Sequence, residues 1–145
     1  MSTNPSDHLP APEGWKLQEL SEHFGTQAGP FYFRHGAEPG VGFFSSVRHA
    51  NIQKFVHGGM LMTLADMSLW DVARRRIGRF NGVTLTLNAE FLAPGPMGVF
   101  IEATGEVLRA GKSIVFVRGI VRAGDDALLS YSGSLKLFAT PPAPA

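Results

Sequence analysis

The sequence predicts an α+β fold, with an antiparallel sheet of five or six strands wrapped around one long buried helix. Three observations predict it. The run Val56 to Arg76 opens on His57-Gly58-Gly59 and then continues without Gly or Pro as far as Gly78, which reads as a tight start to one long helix. After it the pattern changes to period two: in Val83–Leu92, Val83, Leu85, Leu87, Ala89 and Phe91 alternate with Thr84, Thr86, Asn88 and Glu90. The helix itself is apolar on three successive stripes, so it needs walls on every side, and a twisted, curled sheet supplies them.

Taken in order, Met1 to Glu13 carries Pro5, Pro10 and Pro12 among small polar residues and reads as a disordered or loosely docked lead-in. A single domain follows over 14–139. Trp15 to Phe24 is a short helix or a strand, anchored by Trp15, Leu17, Leu20 and Phe24. Phe31–Arg34 and Val41–Val47 read as short strands broken by a Gly36–Gly40 turn. Arg48–Phe55 is a polar connection into the helix. The stripes of that helix are Leu61, Ala65, Leu69, Val72; Met60, Leu64, Met67; and Met62, Trp70, Ala73. Thr63, Asp66, Ser68, Asp71 and the closing Arg74-Arg75-Arg76 keep it short of the ~18 apolar residues of a membrane span. The strand Val83–Leu92 ends at Pro94-Gly95-Pro96. Val99–Leu108 and Ser113–Arg122 form a hairpin about Arg109–Lys112, and Ala127–Phe138 completes a long meander. Residues 140–145 form a Pro-rich tail.

The 145 residues are 44% hydrophobic and carry a net charge of +1, enough core for one domain and no broad basic surface for nucleic acid. Cysteine is absent, which removes a disulfide framework and a thiolate nucleophile. No basic segment precedes an apolar one near the N-terminus, so a signal peptide is not expected and a cytoplasmic location is. The five histidines lack metal-ligand spacing with a carboxylate, and no metal is expected. An outer edge strand and a polar sheet face need covering, which a homodimer would do.

The two helix aspartates differ in their neighbours. Asp71 has Arg74 and Arg75 three and four residues on and reads as a surface ion pair. Asp66 has Met62, Thr63, Leu69 and Trp70 at those offsets and no cation. A carboxylate so placed is costly to bury; either a partner comes from elsewhere in the fold or the acid is there for chemistry.

The run Asn51-x5-His57-Gly58-Gly59-x6-Asp66 resembles the hotdog-fold acyl-CoA thioesterases of the phenylacetate-pathway and thioesterase-superfamily-member-2 type. The strand Gly82-Val-Thr84-Leu-Thr86-Leu-Asn with Pro94 after it, and the turn Arg109-x-Gly111-Lys112-Ser113, extend the resemblance over roughly 31–138. It implies a hydrolase of a small acyl- or aryl-CoA acting without a cofactor. Asp66 would be the general base or nucleophile, and the Gly58 N–H would polarise the thioester carbonyl. Asn51 and Thr84 would position water and substrate, and His57 would order the helix start or the carbonyl site. Substrate and CoA contacts would come from Gly59, Met62, Thr86, Pro94, Arg109, Gly111, Lys112 and Ser113. A helix N-terminus is where a developing oxyanion is stabilised, and a desolvated carboxylate makes a better base near neutrality.

Each residue also has a plainer reading: His57 as a cap, Asn51 as a turn former, Thr84 as an ordinary strand threonine, Arg109 and Lys112 as hairpin charges. Two other functions fit the same fold. A hydratase or dehydratase of acyl thioesters would use His57 with Asp66, and a non-catalytic acyl-CoA-binding module would use Asp66 only structurally. Helix geometry adds one expectation. Gly58 and Asp66 are eight positions apart, so their backbones lie about 12 Å apart along the axis. One carbonyl can hardly meet both, so the site is expected between two chains, in a dimer or a dimer of dimers.

Overall fold

The helix that the sequence centres on runs over Gly58–Ile77 (α2) in the computed structural model, which describes residues 9–19 and 23–139. Its start is capped by His57, whose Nδ1 accepts the Gly59 N–H at 2.9 Å, and Met60 N–H returns to the His57 carbonyl at 2.9 Å. It stops at Gly78, whose φ of 84° suits glycine and whose N–H returns to the Arg74 carbonyl. Leu61, Leu64, Ala65, Leu69, Val72 and Ala73 are buried. Each large one of these contributes on the order of 1.5–3 kcal/mol on leaving water.

The strands are β1 (Trp15–Leu17), β2 (Tyr32–Arg34), β3 (Val41–Phe44), β4 (Gly82–Phe91), β5 (Phe100–Ala110), β6 (Ile114–Ala123) and β7 (Asp126–Leu137), with a short helix α1 (Phe24–Ala28) after β1. All pairings are antiparallel, and the sheet has seven strands in the order β1-β2-β3-β5-β6-β7-β4. Its inner face, with Ile101 and Ala103 of β5, Val115 and Val117 of β6, and Leu129 and Leu135 of β7, packs on α2. Two tight fits set the helix on the sheet. A Cβ on Gly133 would lie 2.2 Å from Leu69 Cδ1, so the glycine is the hole into which that leucine fits. A Cβ on Gly119 would lie 2.4 Å from the Tyr131 ring, which crosses β6 in the space that a side chain would fill.

This is the α+β, hotdog-type arrangement expected, with four differences. The sheet has seven strands rather than five or six, because three-residue β1 pairs with β2 through Leu17 and Tyr32. Val47 leaves the expected strand for a 3-10 turn over Val47–His49, where it is exposed. The meander covers only β5–β7; the Pro94–Val99 connection carries the chain across, and β4 pairs with β7 at the far edge. Two prolines around Gly95 rule out a tight hairpin there, and Val56 N–H holds the crossing by donating to the Gly95 carbonyl at 2.9 Å.

Finally, α2 is not walled on every side within the chain: the face with Met62, Thr63, Asp66, Met67 and Trp70 is only half-buried. Leu20, the 140–145 tail and most of the lead-in lie outside the described residues. Leu9 and Pro12 are held to the domain, Leu9 by the Tyr32 hydroxyl at 2.6 Å.

Candidate active site

The alternation in β4 breaks at Leu85. Thr84 pairs with Leu135 and Thr86 with Ser134, so one extra residue is inserted between them. Val83 and Leu85 consequently face outward and are about half exposed, whereas Thr84 turns inward towards α2. There its hydroxyl donates to Asp66 Oδ1 at 2.7 Å and accepts the Trp70 indole N–H at 3.2 Å. The partner that Asp66 lacked on its own helix is therefore a hydroxyl from the neighbouring strand. Trp70 stacks on Phe80 with ring centroids 4.7 Å apart, which fixes the indole.

The roles read for the two aspartates are reversed in burial. Asp71 is the buried one, 3% exposed, with Arg75 Nε at 2.9 Å and the Gly40 N–H at 3.0 Å. Local spacing identified its cation but not the β2–β3 connection that covers it. Asp66 is half-buried at one end of a groove of about 1040 Å³ that also touches Met67, Trp70 and Arg74. Its Oδ2 meets no protein donor among the described residues.

The helix start is built from the preceding loop. Asn51 Oδ1 accepts the N–H groups of Gln53 at 2.9 Å and Phe55 at 3.1 Å, the loop-forming role of an Asx turn. His57 N–H donates to the His49 carbonyl at 2.7 Å, and His57 Nδ1 is taken by Gly59. The Gly58 N–H finds no acceptor among the described residues; a Cβ there would lie 3.2 Å from the Phe91 ring. Gly59 is exposed, and its carbonyl accepts the Thr63 hydroxyl at 2.9 Å. A second cavity of about 450 Å³ opens here between Arg48, His57, Gly59, Met60 and Thr63.

Of the other residues singled out from the sequence, Met62 is half-buried against the core, on the open side of α2. Exposed Pro94 adjoins the Val56–Gly95 bridge beneath the helix start. Thr86 stands on the outer face of the sheet, bonded to Ser134 at 2.8 Å, and does not join Asp66 within this chain. Gly111, Lys112 and Ser113 form the exposed β5–β6 tip; exposed Arg109 belongs to β5, which runs two residues past the expected Leu108 to Ala110.

Two residues with a bearing on the site escaped sequence reasoning. Trp70 was read only as an apolar neighbour, although its N–H, four residues after the acid, was the available signal. His49 is 6% exposed, with Nε2 2.7 Å from the Ala28 carbonyl and Nδ1 accepting the Ser46 N–H at 3.1 Å. Burial lowers its pKa below the usual value, partly opposed by the Ala28 contact.

The comparisons with known proteins fit this frame. The family model described as Thioesterase superfamily matches residues 53–130, from the loop before α2 into β7. A Pseudomonas aeruginosa protein named "Putative esterase PA0474" is 29% identical over 129 residues, which are 87% of this chain and 96% of that protein. The solved structure of the BH2602 protein from Bacillus halodurans, determined with CoA, is 26% identical with a TM-score of 0.64, over 68% of this chain and 66% of that one. The E. coli PaaI protein of the phenylacetic acid degradation operon, 20% identical, shares the fold with a TM-score of 0.67 over 72% of this chain and 75% of its own. Among the described residues no helix is long and apolar enough to cross a membrane. With more than half of its length matched by the family model on a hotdog framework, this chain belongs to the thioesterase superfamily and is a thioester hydrolase.

Proposed function

We propose that the chain hydrolyses a small acyl- or aryl-CoA thioester to the free acid and CoA in the cytoplasm, through a single hotdog domain spanning 14–139. The observation that carries this reading is Asp66 on the open face of α2, one carboxylate oxygen held by Thr84 at 2.7 Å and the other without a protein donor among the described residues. A carboxylate fixed in this way can attack the thioester carbonyl or take the proton of an attacking water. The oxyanion that forms needs a donor, and the Gly58 N–H at the positive end of α2, without an acceptor among the described residues, is one. Collapse expels the CoA thiolate, which leaves without a general acid because thiols ionise near pH 8.5. Where water attacked, this gives the free acid; where Asp66 attacked, it gives a mixed anhydride that a water then hydrolyses to the acid and the restored carboxylate. Asn51, whose Oδ1 serves the loop, keeps its amide N–H groups for substrate or water. Met62, Met67 and Trp70 line the acyl side, and the Arg109–Ser113 tip meets the CoA phosphates. The Bacillus structure with CoA supports CoA as the carrier.

The site is shared between two protomers. The ~12 Å between Gly58 and Asp66 along one helix is too long for one carbonyl, whereas two helices about a two-fold axis bring Asp66 of one chain to the partner's Gly58. Ten-residue edge strand β4, with half-exposed Val83 and Leu85, offers the surface for that pairing. His57 Nδ1 is engaged as a cap, and assaying an enoyl-CoA beside a saturated acyl-CoA separates hydrolysis from hydration.

The test is complementation. Asp66→Asn is mixed with Gly58→Pro, which lacks the N–H yet occupies the first helical position, where proline is tolerated. Random pairing should restore up to about a quarter of wild-type hydrolysis of a panel of acetyl-, phenylacetyl- and palmitoyl-CoA, by symmetry. Verified heterodimers with no recovered activity would place the site in one chain. Tight stoichiometric CoA-ester binding without turnover by the wild type would make the protein a binding module.

A further inference from the structure

We infer that Trp70 is a positioning residue: its indole N–H fixes the direction of the Thr84 hydroxyl, so that the one proton of that hydroxyl is committed to Asp66. This rests on the proposed role of Asp66. The argument is one of donors and acceptors. An indole N–H only donates, and an ionised carboxylate only accepts. The Thr84 oxygen lies between them, 3.2 Å from Trp70 Nε1 and 2.7 Å from Asp66 Oδ1. With its lone pair facing the indole, the hydroxyl can point its proton only at the carboxylate. The chain of hydrogen bonds runs one way, from Trp70 through Thr84 to Asp66, and each bond polarises the next.

Three consequences follow for the reaction. Thr84 does not donate to water or substrate, in contrast to the role carried over from the family resemblance. Asp66 Oδ1 is held, so Oδ2 is the reacting oxygen. And the rotamer of Asp66 is set by a group four residues along its own helix, so the acid, its clamp and the anchor of the clamp move as one piece. The Trp70–Phe80 stack at 4.7 Å supplies the rigidity that the indole needs for this. A tryptophan that merely filled space beside the groove would have no reason to aim its N–H at this hydroxyl.

The experiment is a double-mutant cycle with kcat and KM measured on whichever of acetyl-, phenylacetyl- and palmitoyl-CoA the wild type turns over fastest. Thr84→Val, which removes the hydroxyl, and Trp70→Phe, which removes the N–H, should each lower kcat with little change in KM; for Trp70→Phe the loss should be roughly three- to tenfold, the scale of one neutral hydrogen bond. Thr84→Ser should restore most of the rate. In the Thr84→Val background, Trp70→Phe should cost nothing more, because its action passes through the missing hydroxyl. An equal Trp70→Phe loss in both backgrounds would show that the ring only fills space and would overturn the inference, as would wild-type kcat in the single variant.

If Trp70→Phe does not fold, the same comparison is made in Trp15→Phe, where Trp70 is the one remaining tryptophan, with its indole replaced by benzothiophene, which keeps the shape and lacks the N–H. Asp66→Asn is run alongside. Turnover surviving in it removes the proposed function together with this inference. An inactive Asp66→Asn with additive losses in the cycle overturns the inference alone.

Discussion

Arg75 Nε lies 2.9 Å from Asp71 Oδ1, and the same guanidinium donates to the carbonyls of Arg34 at 2.7 Å and Gly36 at 2.5 Å. Together with the Gly40 N–H on Asp71 Oδ2, the pair pins the β2–β3 connection onto α2. Removing one member of a buried pair leaves an uncompensated group, at a cost of about 3–5 kcal/mol when both are fully enclosed. The Arg75 side chain keeps 15% exposure, which lowers that cost. Asp71→Asn should therefore lose about 2–3 kcal/mol, read from the urea midpoint at constant m-value. An unchanged midpoint would mean that solvent takes over the arginine.

His49 gives the protein an acid-sensitive joint between α1 and the helix start. Its folded pKa is lowered by burial, so below about pH 6.5 the unfolded chain takes up a proton that the folded chain resists. Stability should be level above that pH and fall as pH drops below about 6.5. Replacing the ring by His49→Gln should flatten this part of a urea-midpoint profile while lowering its plateau. A slope of equal size in the variant would assign the effect to other groups.

At the other end of the pH scale Tyr131 should act in the opposite sense. Burial pushes its phenol from 10.0 up to about 12, with the Ser68 hydrogen bond working against the shift and the Asp71 charge adding to it. The folded chain then keeps a proton that the unfolded chain releases, so stability is retained below about pH 10 and is lost as pH rises towards 12. Tyr131→Phe should weaken the protein by about 1 kcal/mol at neutral pH, through loss of the 2.8 Å Ser68 contact, and should remove the alkaline slope.

Arg109 and Lys112 test the CoA end of the proposed site. If the β5–β6 tip meets the nucleotide phosphates, changing both to Ala should raise KM severalfold or more and spare kcat, since a remote contact binds ground and transition states alike. A pantetheine thioester, which lacks the nucleotide, should be hydrolysed equally by both proteins. Equal losses on both substrates would reduce these residues to shaping the turn.

The sequence reading succeeded where one element carried its own signal. The helix bounds, from the His57-Gly58-Gly59 start to Gly78, needed only a cap, a run of helix formers and a positive-φ glycine. It faltered where a contact spans the fold. Nothing near Asp71 announces that Gly40 will bury it, and nothing near Asp66 announces the Thr84 hydroxyl. Likewise the period-two run of β4 predicted the strand and the inward faces of Leu87 and Ala89 correctly but put Val83 and Leu85 inward as well, because an inserted residue leaves no mark in an alternating pattern. The crossing of β4 to β7 was missed because strand order depends on what covers the helix.

That inserted residue has a consequence of its own. Whether a hydroxyl or an aliphatic chain meets Asp66 is a matter of parity, of counting odd and even along β4, rather than of what residue 85 is. Leu85 should accept nearly any side chain, since it is half exposed and serves as a spacer. Its deletion should spare the pairing as well, because Thr84 and Thr86 already face the consecutive residues Leu135 and Ser134 and can keep them in regular alternation. Residues 83 and 84 would keep their faces, so Thr84 would stay beside Asp66 and the Trp70 N–H would keep its acceptor. A deletion variant that keeps its fold and its rate would show that the extra residue is a spacer, whereas a folded variant with a lost rate would show that the bend it puts into β4 sets the reach of Thr84.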